Sequence, residues 1–297
     1  MKSLMSKISI MVFMLIFSVN LNAQDFQGKA FYQTKTTMDL DQWGGRQLNA
    51  EQKKRIQERM KSFLEKEYVL TFNKTESVYK EEEKLEAPGS SRGWGSFGSS
   101  FSGGPKYKNV KTKQVLQDQE FFGKQFLIKD ELKSLEWKMT TETKQIGSYT
   151  CFKATATKTV DQFDWRSMRR RGNRGDEKAD AKKEKDSTKT SDDPMSEIEM
   201  PKTIEVVAWY TPQIPINQGP DDFWGLPGLI LEVSADRTTI LCTKIVMNPK
   251  EKEEINKPEK GQEVTQAEYN EIITKKMEEM RQMYGGRNRG RGRGGRN

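Results

Sequence analysis

The sequence predicts an α+β protein, mostly antiparallel β-sheet with a curved or half-barrel form open to it, and two helices. One helix falls in the N-terminal half and the other near the C-terminus. Two observations carry this. Short alternating or apolar runs recur along the chain between Gly, Asn and Pro punctuation, as strands require. Two longer segments instead show helical spacing, each opened by a capping box. Only 33% of the 297 residues are hydrophobic and 32% are charged, so the ordered core must be smaller than the length suggests.

Phe26 to Tyr32 opens the ordered chain as a strand. Asn49, with Gln52 three residues on, starts a helix whose apolar stripe is Ile56, Met60, Phe63 and Leu64. That stripe is expected to dock on the protein's own sheet. Tyr68 to Phe72 and Thr75 to Tyr79 alternate around Asn73-Lys74 as a hairpin. Residues 88–104 are rich in Gly and Ser, with Trp94, Phe97 and Phe101 scattered among them, and read as a mobile loop. Strand character resumes over Tyr107 to Leu116, Gln119 to Ile128 with a turn at Gly123, Glu136 to Thr143, and Tyr149 to Thr159.

Residues 167–200 hold nine basic and nine acidic residues and almost nothing apolar, so they are expected to form a disordered insert between two strands. Lys202 to Thr211 is the next strand, ended by Pro212, and Pro215 and Pro220 keep the following stretch extended. In Gly225-Leu226-Pro227-Gly228-Leu229-Ile230, Pro227 and Gly228 suit the two centres of a type II turn. Leu229 to Val233 is then a buried strand, and Thr239 to Met247 returns beside it. After a Lys/Glu-rich linker, Thr265 and Glu268 open a helix to residue 284, its apolar face marked by Tyr269, Ile272, Ile273, Met277, Met280 and Tyr284. One β-rich domain is therefore expected over 24–166 and 201–249, with a helix at 264–284.

Lys2 and Lys7, the apolar run Ile8 to Val19 and the ending Leu21-Asn22-Ala23 form a secretory leader, residues 1–23, cleaved after Ala23. The run is too short to span a membrane, and no later segment could do so. The mature protein is expected in the periplasm, associated with an outer membrane, or secreted. The charge of +8 is local: setting aside the leader's two lysines and the tail's five arginines leaves 44 basic against 43 acidic residues. Histidine is absent, which excludes Ser-His-Asp and Cys-His catalysis and histidine zinc sites. Two cysteines exclude a Cys₄ site. No catalytic residue, cofactor or metal site is expected; the acidic pair Asp221-Asp222 offers too few oxygens for calcium and reads as a solvated turn.

Four stretches together resemble the GLPGLI family, cell-envelope proteins of Bacteroidota without an established activity. They are the hexapeptide Gly225 to Ile230, Ile146 to Ala154, Ala208-Trp209-Tyr210-Thr211-Pro212 with Ile214-Pro215-Ile216, and Thr243-Lys244-Ile245. The resemblance spans about Lys124 to Met247 and implies no catalytic residues. Cys242 stands where the family pattern has a small residue such as alanine.

Three candidate sites remain. Cys151 and Cys242 lie in strands of an exported chain and form either a disulfide, worth roughly 4–5 kcal/mol on the chain-entropy model, or two buried free thiols. Trp209, Tyr210, Phe223 and Trp224 either line an apolar ligand or partner surface or fill the core, with Trp209 assigned to the core. Arg287, Arg289, Arg291, Arg293 and Arg296 in the disordered Arg/Gly tail, 285–297, suit weak, salt-sensitive polyanion contact. Two functions follow: a non-catalytic interaction module for an outer-membrane or periplasmic partner, or a carrier of an apolar, lipid-like ligand on a concave sheet. A third reading, an enzyme using carboxylate, lysine or serine chemistry, lacks a recognisable constellation.

Overall fold

The structure, a computed structural model, describes residues 26–37, 49–82, 103–160, 169–170, 198–199, 203–251 and 253–285. The strands are β1 (Gln27–Thr36), β2 (Glu65–Asn73), β3 (Glu76–Glu81), β4 (Lys106–Asn109), β5 (Gln114–Phe121), β6 (Lys124–Glu131), β7 (Lys138–Ile146), β8 (Tyr149–Thr159), β9 (Arg169–Arg170), β10 (Ile198–Glu199), β11 (Thr203–Thr211), β12 (Leu229–Ala235), β13 (Thr238–Met247) and β14 (Gln262–Val264). The helices are α1 (Ala50–Leu64) and α2 (Gln266–Gly285).

Twelve strands form one sheet in the order β14-β6-β5-β4-β3-β2-β1-β13-β12-β11-β8-β7. Every pairing is antiparallel except the parallel edge pair β14–β6. The sheet is not closed into a barrel, yet it must curl. Ten strand spacings separate β6 from β7, about 48 Å if flat. The six residues 132–137 that connect them reach at most about 25 Å.

Local chemistry sets several elements. Asn49 caps α1, accepting from the Gln52 N–H at 2.8 Å, while the Gln52 side chain accepts from the Asn49 N–H at 3.1 Å. Thr265 and Glu268 do the same for α2. Phe122 and Gly123, with φ of 49° and 73°, make the left-handed two-residue turn of a β5–β6 hairpin. The single strand expected over Tyr107 to Leu116 is instead two. Asn109 accepts from the N–H groups of Lys111 and Thr112, both at 3.0 Å, and folds the chain back without Gly or Pro.

Buried rows cross the concave face. Ala154, Ala208, Val233, Ile240 and Thr34 are consecutive partners across β8, β11, β12, β13 and β1. The row Ala30, Leu70, Tyr79, Lys106, Gln117 and Ile128 runs on through β2 to β6, so the inner face turns polar at β4. In β4 the apolar side chain points outward, while Phe121, Phe126 and Ile128 of β5 and β6 stay on the inner side. Tyr107, Leu116 and Leu127 form an outer cluster covered by Ile255. The stretch expected as a linker thus straps the convex face and contributes β14. α2 packs Tyr269 and Ile273 against Phe121, Phe126 and Ile128.

α1 docks less deeply than its stripe predicts: Ile56, Met60, Phe63 and Leu64 are only half-buried. Within the expected disordered insert, β9 and β10 pair with each other. Residues 171–197, the leader, most of the Gly/Ser-rich loop (88–102) and the arginine tail (286–297) lie outside the described residues.

Candidate functional site

The connection between β11 and β12, residues 212–228, enters the curled sheet and fills it. Ile214, Ile216, Phe223 and Leu226 join the main core. The expected type II turn is absent. The Gly228 N–H donates to the Leu226 carbonyl at 2.8 Å, a three-residue turn centred on Pro227, and the Gly228 φ of 159° is nearly extended. Glycine is required at 228 by space, because a Cβ would lie 2.2 Å from the Thr211 carbonyl oxygen. At Gly225 it is required by conformation: φ is 92°, while a Cβ would meet nothing nearer than 3.8 Å.

Polar side chains on the inner face hold this loop. Ser77 Oγ donates to Gln218 Oε1 at 2.8 Å. Lys108 is wholly buried and donates to the carbonyls of Gly219 at 2.6 Å and Phe223 at 3.4 Å. Burial without a close carboxylate pushes its ammonium down to about 7. One step along β4, Lys106 reaches Asp221 at 2.6 Å and Asp222 at 2.7 Å. Burial opposes the charge on Lys106, but the two carboxylates outweigh it and raise its pKa. Asp222 is bound again, at 3.3 Å, by Lys158 of β8. Burial works against its ionisation too; the Lys106 ammonium prevails and holds the carboxyl below its usual range. The acidic pair is therefore not a solvated turn. It ties β4 to β8 across the interior of the sheet.

Two tryptophans hold the connection between β6 and β7. Trp224 Nε1 donates to the Lys133 carbonyl, and Trp137 Nε1 donates to the Trp224 carbonyl, both at 2.8 Å. Of the four aromatics singled out by sequence, Tyr210, Phe223 and Trp224 are buried. Trp209, expected in the core, is half-buried; Lys144 lies 5.4 Å from its ring centre and pairs with Glu232 at 2.6 Å. Plain alternation along β11 sets Trp209 between the buried Ala208 and Tyr210, with Lys153 and Glu232 as its cross-strand partners, and it packs against the edge of the main core; the bulge here lies in β12, at Leu231. The four do not line one pocket.

Cys151 and Cys242 are free and buried. Their strands are separated by β11 and β12, and burial pushes the thiols up to about 11 and about 12. Arg287, Arg289, Arg291, Arg293 and Arg296 lie outside the described residues.

Among the described residues, a cleft of about 830 Å³ opens at the seam between the ends of the sheet. Its lining mixes polar side chains, among them Lys106, Gln117, Lys158, Glu205 and Asp222, with a nearly equal apolar surface that includes Val115, Ile128, Leu132 and Leu135. The volume suits a small ligand or a short segment of chain. Sequence reasoning missed Lys106, Lys108 and Lys158. The Lys-x-Lys alternation of β4 was the available signal, but an alternating lysine normally marks a solvent face.

A family model described as "Protein of unknown function (Porph_ging)" matches residues 137–232, which include the hexapeptide and β7, β8, β11 and most of β12. No curated protein matches the chain. Two solved structures, described as "Structure of PNGF-II in C2 space group" and "Structure of PNGF-II in P21 space group", are similar at 14% identity, with TM-scores of 0.45 and 0.46. Each alignment covers 84% of this chain and 33% of the other, so the chain spans about a third of the length of the solved structures it matches.

Proposed function

We propose that this protein is an exported member of the GLPGLI family, acting in the cell envelope as a non-catalytic interaction module. The observation that carries this reading is the division of its interior. The apolar concave face, which a carrier of a lipid-like ligand would keep open, is occupied by Ile214, Ile216, Phe223 and Leu226 of the chain itself. The cleft at the seam mixes charged and hydroxyl groups with apolar ones, which suits a partner of mixed character better than a purely apolar ligand. Trp209, the half-buried aromatic, adds a convex contact point with Lys144 over its ring. The leader read from Lys2 to Ala23 supports export, and fractionation of cells producing the chain is expected to find it outside the cytoplasm.

The test is capture of envelope proteins on the purified chain, beside native mass spectrometry of the same preparation. Capture of one partner at constant stoichiometry, without co-purifying lipid, is expected. A stoichiometric lipid retained through purification would replace this reading with the carrier, and turnover of a substrate would replace both.

A further inference from the structure

The inner loop is anchored unevenly. Ile214, Ile216, Phe223 and Leu226 sit in the main core, and Gln218 is fixed by the Ile230 N–H at 3.1 Å and by Ser77. Between these anchors, Gly219–Asp222 bring no apolar side chain but Pro220. Lysines tie this tip to the sheet: Lys108 through the Gly219 carbonyl, Lys106 through both aspartates and Lys158 through Asp222. Asp221 has a φ of 48°, a left-handed backbone that a non-glycine residue adopts only at a cost. The Phe223 N–H closes the turn, donating to the Pro220 carbonyl at 3.0 Å.

We propose that Gly219–Asp222 is a proton-sensitive latch, closed while the Lys108 amine is neutral and released when it takes up a proton, with the rest of the sheet still folded. The bonding at Lys108 carries this. A neutral amine has two N–H groups, and the carbonyls of Gly219 and Phe223 receive both. An ammonium adds a third hydrogen and a full charge in a wholly buried place, with no carboxylate bonded to it among the described residues. β3 and β5 set Ser77 and Val115 opposite Lys108, neither of them charged. The titratable groups around it are Lys106 along β4, Asp221 and Asp222 on the tip, Lys158 behind Asp222, Tyr79 opposite Lys106 and Asp130 opposite Val115. Lys106 and Asp222 keep their charges at neutral and alkaline pH, whereas Lys108, brought down to about 7 by burial, gains one as pH falls toward neutrality. Release loosens the Asp222 bridge between β4 and β8, whatever molecule the protein binds.

A lysine freed by release holds its proton to higher pH than the buried one, so release becomes harder as pH rises above 7 and levels off below it. Amide hydrogen exchange of the purified chain at pH 7, 8 and 9, corrected for the intrinsic rate, tests this. Protection of the Phe223 N–H is expected to rise at least tenfold from pH 7 to 9, while the amides that pair β1 with β13 stay more protected than it throughout. In the same chain, the side-chain NMR signal of Lys108 should titrate near pH 7. Lys108→Met should hold the Phe223 protection constant over this range.

Equal protection at Phe223 and across β1–β13 would mean that the tip opens only when the sheet unfolds, and would overturn the proposal. So would Phe223 protection that ignores pH, or a Lys108 signal titrating above pH 9. These readouts come from the native chain and decide the matter even where Lys108→Met does not fold.

Discussion

Asp222, at the tip of the inner loop, accepts from Lys106 of β4 at 2.7 Å and from Lys158 of β8 at 3.3 Å, joining strands seven places apart in the sheet. The pairs are half-buried, so they are worth more than surface pairs without carrying the full cost of buried ions. Lys106→Met leaves Asp221 and Asp222 facing each other without their shared cation. It is expected to cost about 1–3 kcal/mol in urea unfolding at pH 7. The Asp222 carboxyl is depressed in the folded chain, so its contribution is present above the ordinary carboxyl pKa and is lost as pH falls through the lower folded value. The deficit of Lys106→Met should therefore shrink in acid; one that grows below pH 4 contradicts this assignment.

Lys108 has linkage of the same sign in a higher pH window. Its folded pKa of about 7 lies below the ordinary lysine value, so above pH 7 the unfolded chain binds more protons. Stability should rise with pH from about 7 to 9, before the raised thiols begin to oppose it. Lys108→Met should flatten this slope, and its own cost comes from the unpartnered Gly219 and Phe223 carbonyls. Denaturant unfolding of both proteins at pH 6, 7, 8 and 9 measures the difference.

The two glycines of the hexapeptide fail for different reasons. Gly228→Ala drives a Cβ into the Thr211 backbone and is expected to cost about 3 kcal/mol or more. Gly225→Ala only forces a left-handed backbone, about 1–2 kcal/mol. Equal unfolding midpoints for the two variants would contradict this order.

Trp137→Phe keeps a ring and removes the donor to the buried Trp224 carbonyl, for about 1–2 kcal/mol. Faster hydrogen exchange over residues 132–138 is the expected signature.

Burial should keep both cysteines unreactive in the native chain at pH 8, and two thiols should titrate after denaturation without reductant. No titratable thiol in the denatured chain would show a disulfide.

Local chemistry was legible in the sequence. Asn49 with Gln52 and Thr265 with Glu268 announce both helix starts, and the ends of β8 follow from its alternation. Inside and outside were not legible along β4. Tyr107 is the residue that alternation would place inward, yet it points out because Ile255, far along the chain, covers the convex face. Lys106 and Lys108 consequently point in. Nor does any local signal announce that Asp221 and Asp222 meet lysines from two distant strands, or that Gln262–Val264 complete an edge.

β1 lies in the middle of the sheet, between β2 and β13, and its pairing with β13 joins Gly28 to Met247. The first of the described strands must therefore wait for one of the last, which makes folding slow and cooperative. A chain cut after Ala235 lacks β13, so β1 and β12 each keep an unsatisfied margin. Such fragments should aggregate instead of folding by halves.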